Sequence, residues 1–203
     1  MSPFGRQSMS SSPMPTTRSI LTIPAANCRL SLTIAWLREE FEAIGVPFER
    51  RGKRADEYME ALKAVWSGHE VDYQGEFVNW QGFMMRPRPA QPGGIPLVVG
   101  GVTPPAIRRT VKYGDGWYVI GKDLNEIRAH MQAFNDECAR QGRDPGEPEI
   151  TAYWNFYREG PESLKAYEEL GIHRLLINVP AMRQQDAMTG LQYFAGEVVA
   201  QHG

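Results

Sequence analysis

Residues 95–117 read IPLVVGGVTPPAIRRTVKYGDGW, and this order of apolar run, paired glycine, paired proline and closing glycine decides the fold. The run IPLVV shows no alternation of polar and apolar side chains, which predicts a strand covered on both faces, as in a parallel sheet. Pro104 near the first helical position and Gly114 just past the last predict a helix between them. DGWYVIG then predicts a second short strand. One strand, one helix and another strand within so few residues make a βα repeat.

The repeat continues on the carboxyl side. DLNEIRAHMQAFNDECARQG predicts a helix, with Asp123 and Glu126 in capping-box spacing and Ile127, Met131, Phe134 and Cys138 on one apolar stripe. EITAYWNFY predicts a strand, PESLKAYEELG a helix, IHRLLINV a strand and DAMTGLQYFAGEVVAQH a closing helix. On the amino side, RLSLTIAW predicts a weak strand leading into the helix WLREEFEAIG, where Leu37, Phe41 and Ile44 fall at helical spacing. A longer helix follows around ADEYMEALKAVWSG, with Tyr58, Leu62, Val65 and Trp66 expected on one face. The Gly-punctuated aromatic stretch HEVDYQGEFVNWQGF predicts a small hairpin before a proline-rich crossing loop. Strands alternating with helices imply a parallel sheet with helices outside it.

Composition narrows the function classes. The 203 residues carry 22 Lys plus Arg against 24 Asp plus Glu, a formal charge of -2, so no global basic field exists to hold nucleic acid or an anionic membrane. No apolar run approaches the ~20 residues of a membrane span. Cys28 and Cys138 have neither metal-ligand spacing nor a disulfide framework, and a reducing, cytoplasmic compartment is expected. The first acidic residue is Glu39, while Arg6, Arg18, Arg29 and Arg38 precede it. Residues 1–30 are therefore expected to form a disordered leader, rich in Ser, Pro and Met, and 31–203 the folded domain. An organelle transit peptide is the alternative reading of that leader.

Little in the sequence suggests acid–base or metal chemistry. His69, His130, His173 and His202 share no motif, and neither HExxH, GxSxG nor CxxC occurs. Glu39, Glu40 and Glu42 read as a solvated helix face, and Trp36, Trp117 and Trp154 as core fillers by default. The opening stretch is the informative one. A strand ending in Gly100 and Gly101 presents backbone without Cβ atoms, Thr103 stands where it would cap the next helix, and a helix start is suited to a phosphate. A tight βα turn without a ligand fits these residues equally well.

Taken together, WLREEFEAIGVPFERRGKRADEYMEALKAVW, YQGEFVNW, RPRPAQPGGIPLVVGG, TPPAIRR, YGDGW and GIHRLLINVPA resemble, in unbroken order from Trp36 to the closing helix, the luciferase-like monooxygenase superfamily. The nearer resemblance is to its deazaflavin-dependent (coenzyme F420) oxidoreductase branch. The resemblance implies a (β/α)8 barrel of TIM type with one flat cofactor, coenzyme F420 or FMN, at the carboxyl ends of the strands. It implies cofactor contacts from Gly100, Gly101, Val102 and Thr103, with Trp117 beside the site and Trp36 at the mouth of an earlier strand. The implied activity is hydride transfer with a small organic substrate, or monooxygenation with ordinary reduced flavin.

Three departures shape the expectation. CRLSLTIA lacks the glycines the family carries before the Trp36 equivalent, position 102 is valine where the family is often polar, and residues 1–27 offer no counterpart to the first three barrel strands. A full barrel takes about 250 residues. The expected architecture is thus α/β, a partial barrel lacking those strands, assembled as a homo-oligomer and possessing no assignable catalytic residue. A non-catalytic assembly or cofactor-binding module is the competing reading, because a partial barrel leaves sheet edges and an apolar interior open.

Overall fold

Leu97, Val98 and Val99 have no polar atom to satisfy beyond their backbone, and in the computed structural model of the protein they lie buried in the second of five parallel strands. The structure describes residues 28–177 and 184–200. The expectations for the leader, for the 1–30 boundary and for His202 fall outside those residues, apart from residues 28–30.

In chain order the elements are β1 (Leu30–Leu32), α1 (Arg38–Ala43), α2 (Arg51–Trp66), β2 (Val71–Gln74), β3 (Asn79–Phe83), β4 (Leu97–Gly100), α3 (Pro104–Tyr113) and β5 (Gly116–Val119). There follow α4 (Leu124–Gln141), β6 (Glu149–Trp154), α5 (Phe156–Glu159), α6 (Leu164–Glu169), β7 (Arg174–Ile177) and α7 (Gln184–Phe194), which runs into a π-helical turn at Ala195–Val199. β2 and β3 form a separate antiparallel hairpin. The main sheet has the order β1-β4-β5-β6-β7, all parallel. Because that spatial order follows the chain order, the sheet winds one way only, as in a barrel, and lacks the reversal of a doubly wound fold.

Strand alternation sorts the side chains onto two faces. Leu97 and Val99 pack against Met59, Val65 and Trp66 of α2. Trp117, Val119, Ile150, Ala152 and Trp154 join Phe134 and Cys138 of α4 and Tyr167 of α6 in a second core. The opposite face carries Val98, Tyr118, Thr151, Tyr153 and Leu176 in register. That face is concave. Arg29, just before β1, forms an ion pair with Glu149 of β6, three strands away in the sheet, and Arg174 of β7 reaches the same carboxylate at 2.5 Å. In a flat sheet those strands would stand about 14 Å apart. The architecture is a partial (β/α) barrel in which, among the described residues, the sheet is a curled trough with β1 and β7 at its edges.

Two expectations about side chains are corrected. Tyr58 is 44% exposed, because the buried face of α2 is set by Met59, Leu62, Val65 and Trp66, and a residue one step before Met59 points about 100° away. Trp36 is 80% exposed, so it is no core filler, whereas Trp117 and Trp154 are. The start of α4 holds its capping pair in a shifted form. Asp123 accepts from the Glu126 N–H at 3.0 Å, while the Glu126 carboxylate accepts from Lys122 N–H at 2.6 Å, one residue earlier than a closed box requires.

Candidate functional site

The carboxyl ends of β1 and β4 lie side by side, since Leu32 pairs with Val99. Beyond them opens a cavity of about 450 Å³, bordered by Thr33, Trp36, Arg50, Gly101, Thr103 and Arg109 among others. Two helices, α2 and α3, begin at its wall. Of the described residues that line it, none is a carboxylate, a histidine or a thiol, while Arg50, Arg51 and Arg109 are cationic.

The paired glycines have separate reasons to be glycine. A Cβ on Gly100 would fall 2.2 Å from the Thr33 hydroxyl oxygen, so the space beside that backbone is filled from β1. Gly101 has φ +112, where an L side chain is strained whatever the space, and its Cβ would also meet Ala106 at 3.2 Å. The turn demands the second glycine on backbone grounds alone.

Hydrogen-bond accounting then defines the donors. The Gly101 N–H is directed to the Tyr118 carbonyl at 3.3 Å, and the Ile107 N–H to the Thr103 carbonyl at 2.9 Å. Pro104 and Pro105 occupy the first two positions of α3 and have no N–H to offer. The Thr103 hydroxyl makes no capping bond, contrary to the sequence expectation: Pro105 removes the second-position N–H, and the hydroxyl leaves the third-position N–H of Ala106 unused. Among the described residues, three donors at this corner have no partner: the N–H groups of Val102, Thr103 and Ala106. The cradle for an anion is thus narrower than a bare helix start.

The start of α2 adds charge. Its first turn has no acidic residue and instead carries Arg51, Lys53 and Arg54, cations placed at the positive end of a helix dipole. Arg54 is buried and donates to the Pro47 carbonyl at 2.7 Å; Arg51 lies over the Phe48 ring at 3.9 Å. Arg109, 7% exposed, pairs with Asp56 and donates to the Gly52 carbonyl at 3.2 Å. Arg50, at the N-cap, has φ 61, the one positive φ among the described non-glycine residues. Sequence reasoning missed these arginines and Thr33 as site residues. The signal for Arg50, Arg51 and Arg54 was present: RRGKR opens a helix in which acids would be the ordinary choice.

Of the residues expected at the site, Gly100, Gly101, Thr103 and Trp36 border the cavity. Val102 turns its side chain to the core, leaving only its backbone at the corner. Trp117 does not line the cavity. It is fully buried, stacked on Phe134, and its indole N–H donates to the Gly101 carbonyl at 2.8 Å, so it acts on the loop from behind. On the concave face, burial pushes the Tyr118 phenol up, with Tyr153 adding to the effect, which keeps it a neutral donor at neutral pH. No group of His, Cys, Asp and Glu suited to a metal ion occurs among the described residues, and none of the described helices is long and apolar enough to cross a membrane.

The sequence profile of the family described as luciferase-like monooxygenase matches residues 28–198. An uncharacterized protein of Mycobacterium tuberculosis is 30% identical over 190 residues, covering 92% of this chain and 66% of that protein. An FMNH(2)-dependent dimethylsulfone monooxygenase of Pseudomonas putida is 24% identical over 116 residues, covering 56% of this chain and 32% of its own length. Among solved structures, an F420-dependent secondary alcohol dehydrogenase superposes with a TM-score of 0.70 at 12% identity, covering 86% of this chain and 70% of the other. The chain therefore spans about two thirds or less of the curated relatives it matches.

Proposed function

The chain belongs to the luciferase-like monooxygenase family, and from that premise we propose that it is an oxidoreductase component binding coenzyme F420 or FMN for chemistry on a small organic substrate. The observation that carries this reading is the cavity at the ends of β1 and β4, lined by three arginines, by Thr103 and Ala106 whose N–H groups have no partner among the described residues, and by no acid among its described lining residues. That chemistry fits the phosphate of either cofactor. The Val102, Thr103 and Ala106 N–H groups would hold phosphate oxygens, with Gly101 keeping the loop clear of side chains. The cofactor, when bound, supplies hydride transfer or oxygen activation. This chain's residues bind and orient it, and the neutral phenol of Tyr118 stands on the concave face as a hydrogen-bond donor. An F420-dependent dehydrogenase and an FMNH(2)-dependent monooxygenase among its relatives support both cofactor choices equally.

Fluorescence titration of FMN and coenzyme F420 against the wild-type chain and Gly101→Val tests the site. Weak binding by the wild type and none by the variant is expected, the helix dipole alone contributing about 0.3 to 2 kcal/mol. Equal binding by both proteins refutes the phosphate loop.

A second reading, an assembly module, is supported by Ile120 (46% exposed) and Leu176 (44% exposed) at the open side of the trough. We propose a homo-oligomer that covers them, checked by sedimentation at micromolar concentration. The free thiols of Cys28 and Cys138 support a reducing compartment.

A further inference from the structure

We propose that Glu76, at the tip of the β2–β3 hairpin, is an internal counter-anion that occupies Arg50 until an anionic ligand displaces it, making the hairpin a regulator of affinity at the cavity. The inference rests on the anion-site reading above and adds to it a competing group.

Arg50 borders the cavity, yet both of its terminal nitrogens are directed to the two carboxylate oxygens of Glu76, a fork-to-fork pair. The Phe77 ring lies 5.2 Å from the same guanidinium. The hairpin tip is fixed from behind. Glu57 of α2 accepts the N–H groups of Glu76 at 3.0 Å, Phe77 at 2.7 Å and Val78 at 2.6 Å. A Cβ on Gly75 would lie 2.2 Å from the Glu57 carboxylate, so the tip is pressed onto the helix there. Glu76 is thereby delivered to Arg50 by a rigid mount.

Arg50 is also where the backbone takes its unusual left-handed turn into α2. Such a conformation at a non-glycine residue persists where the surroundings over-determine it and clusters at ligand clamps. The three arginines differ in how easily they change partners. Arg109 is committed to Asp56 with 7% of its side chain exposed, and Arg51 covers Phe48. The Arg50–Glu76 pair is half exposed on both sides, 48% and 49%, the setting in which an ion pair contributes least. A phosphate presents two or three oxygens to the same guanidinium fork, nearly two charges for the FMN monoester and one for the coenzyme F420 diester, and competes there with the single carboxylate.

The test uses the full chain and two ligand pairs: FMN against riboflavin, and coenzyme F420 against its phosphate-free deazaflavin riboside. Glu76→Gln is expected to tighten FMN or coenzyme F420 by about two- to fivefold and to leave the phosphate-free rings unchanged. Arg50→Gln combined with Glu76→Gln is expected to erase the gain. A tip merely loosened by the substitution would keep the gain in the double variant, and that result overturns the proposal. Wild-type affinity of Glu76→Gln for both phosphate-bearing cofactors overturns it as well, while leaving the anion site standing. If the wild type itself fails to prefer the phosphate-bearing member of either pair, the anion reading falls and this inference with it.

Discussion

Trp117→Phe separates the loop's geometry from the stability of the core. The indole is fully buried, stacks on Phe134 with ring centroids 4.9 Å apart, and donates to the Gly101 carbonyl at 2.8 Å. Phenylalanine keeps the stacked six-membered ring and removes the pyrrole half with its N–H. The lost volume costs about 1 to 2 kcal/mol by comparison with other large-to-small changes. The lost hydrogen bond costs about 0.5 to 1.5 kcal/mol, at the lower end because Gly101 is partly exposed. Together these lower the melting temperature by roughly 3 to 10 °C for a chain of this size. Trp154→Phe is the matched control, 1% exposed and donating to Ser163 at 2.9 Å, on a strand two removed from β4. Both variants should melt earlier by similar amounts. Only Trp117→Phe should weaken FMN or coenzyme F420, by about fivefold, the value of one hydrogen bond's positioning. Equal cofactor affinities in the two variants would refute the claim that Trp117 sets the loop.

Glu57→Ala strips the hairpin tip of its acceptor for three N–H groups and should cost about 1 to 3 kcal/mol, with hydrogen exchange accelerated at Glu76, Phe77 and Val78; unchanged exchange there would show that the tip is held by other contacts. Burial raises the phenols of Tyr113 and Tyr167 first, with bonds to Glu60 and Glu159 adding to the shift, and burial also raises Tyr118. The folded state then keeps protons that the unfolded chain releases above the ordinary tyrosine value of 10.0, so stability holds through neutrality and declines as pH rises from there through the raised values. Urea midpoints at about pH 8 and about pH 11 measure the decline, and a flat profile would contradict it.

The repeat from β4 to β7 was legible because its signals are local. An unbroken apolar run, prolines at a helix start and a glycine at its end act within a few residues, and the elements they mark lie where periodicity places them, except that the strand expected over EITAYWNFY ends at Trp154 and Phe156–Glu159 form the short helix α5. The loss of two donors at Pro104 and Pro105 follows from the missing N–H alone, yet the sequence expectation treats the helix start as a whole as suited to a phosphate. What the sequence conceals is parity and distance. Trp117 follows Gly116 in a strand, but which face it takes depends on how β5 registers with β4 and β6. Thr33 filling the space beside Gly100 is a contact between residues 67 positions apart, and the approach of Glu76 to Arg50 depends on how the hairpin folds over α2. Such neighbours are products of tertiary packing and have no local signature.

The meeting of Arg29 and Arg174 on Glu149 has a consequence for how such barrels are built. If two ends of a five-strand arc converge on one carboxylate, the arc's radius is written into its own inward-facing residues, much as wedge-cut stones define an arch before the span is complete. A segment shaped this way is a transferable part. It presents an already bent seam to whatever strands meet it, so recombination with a foreign set of βα units becomes a problem of matching two edges, with curvature supplied in advance.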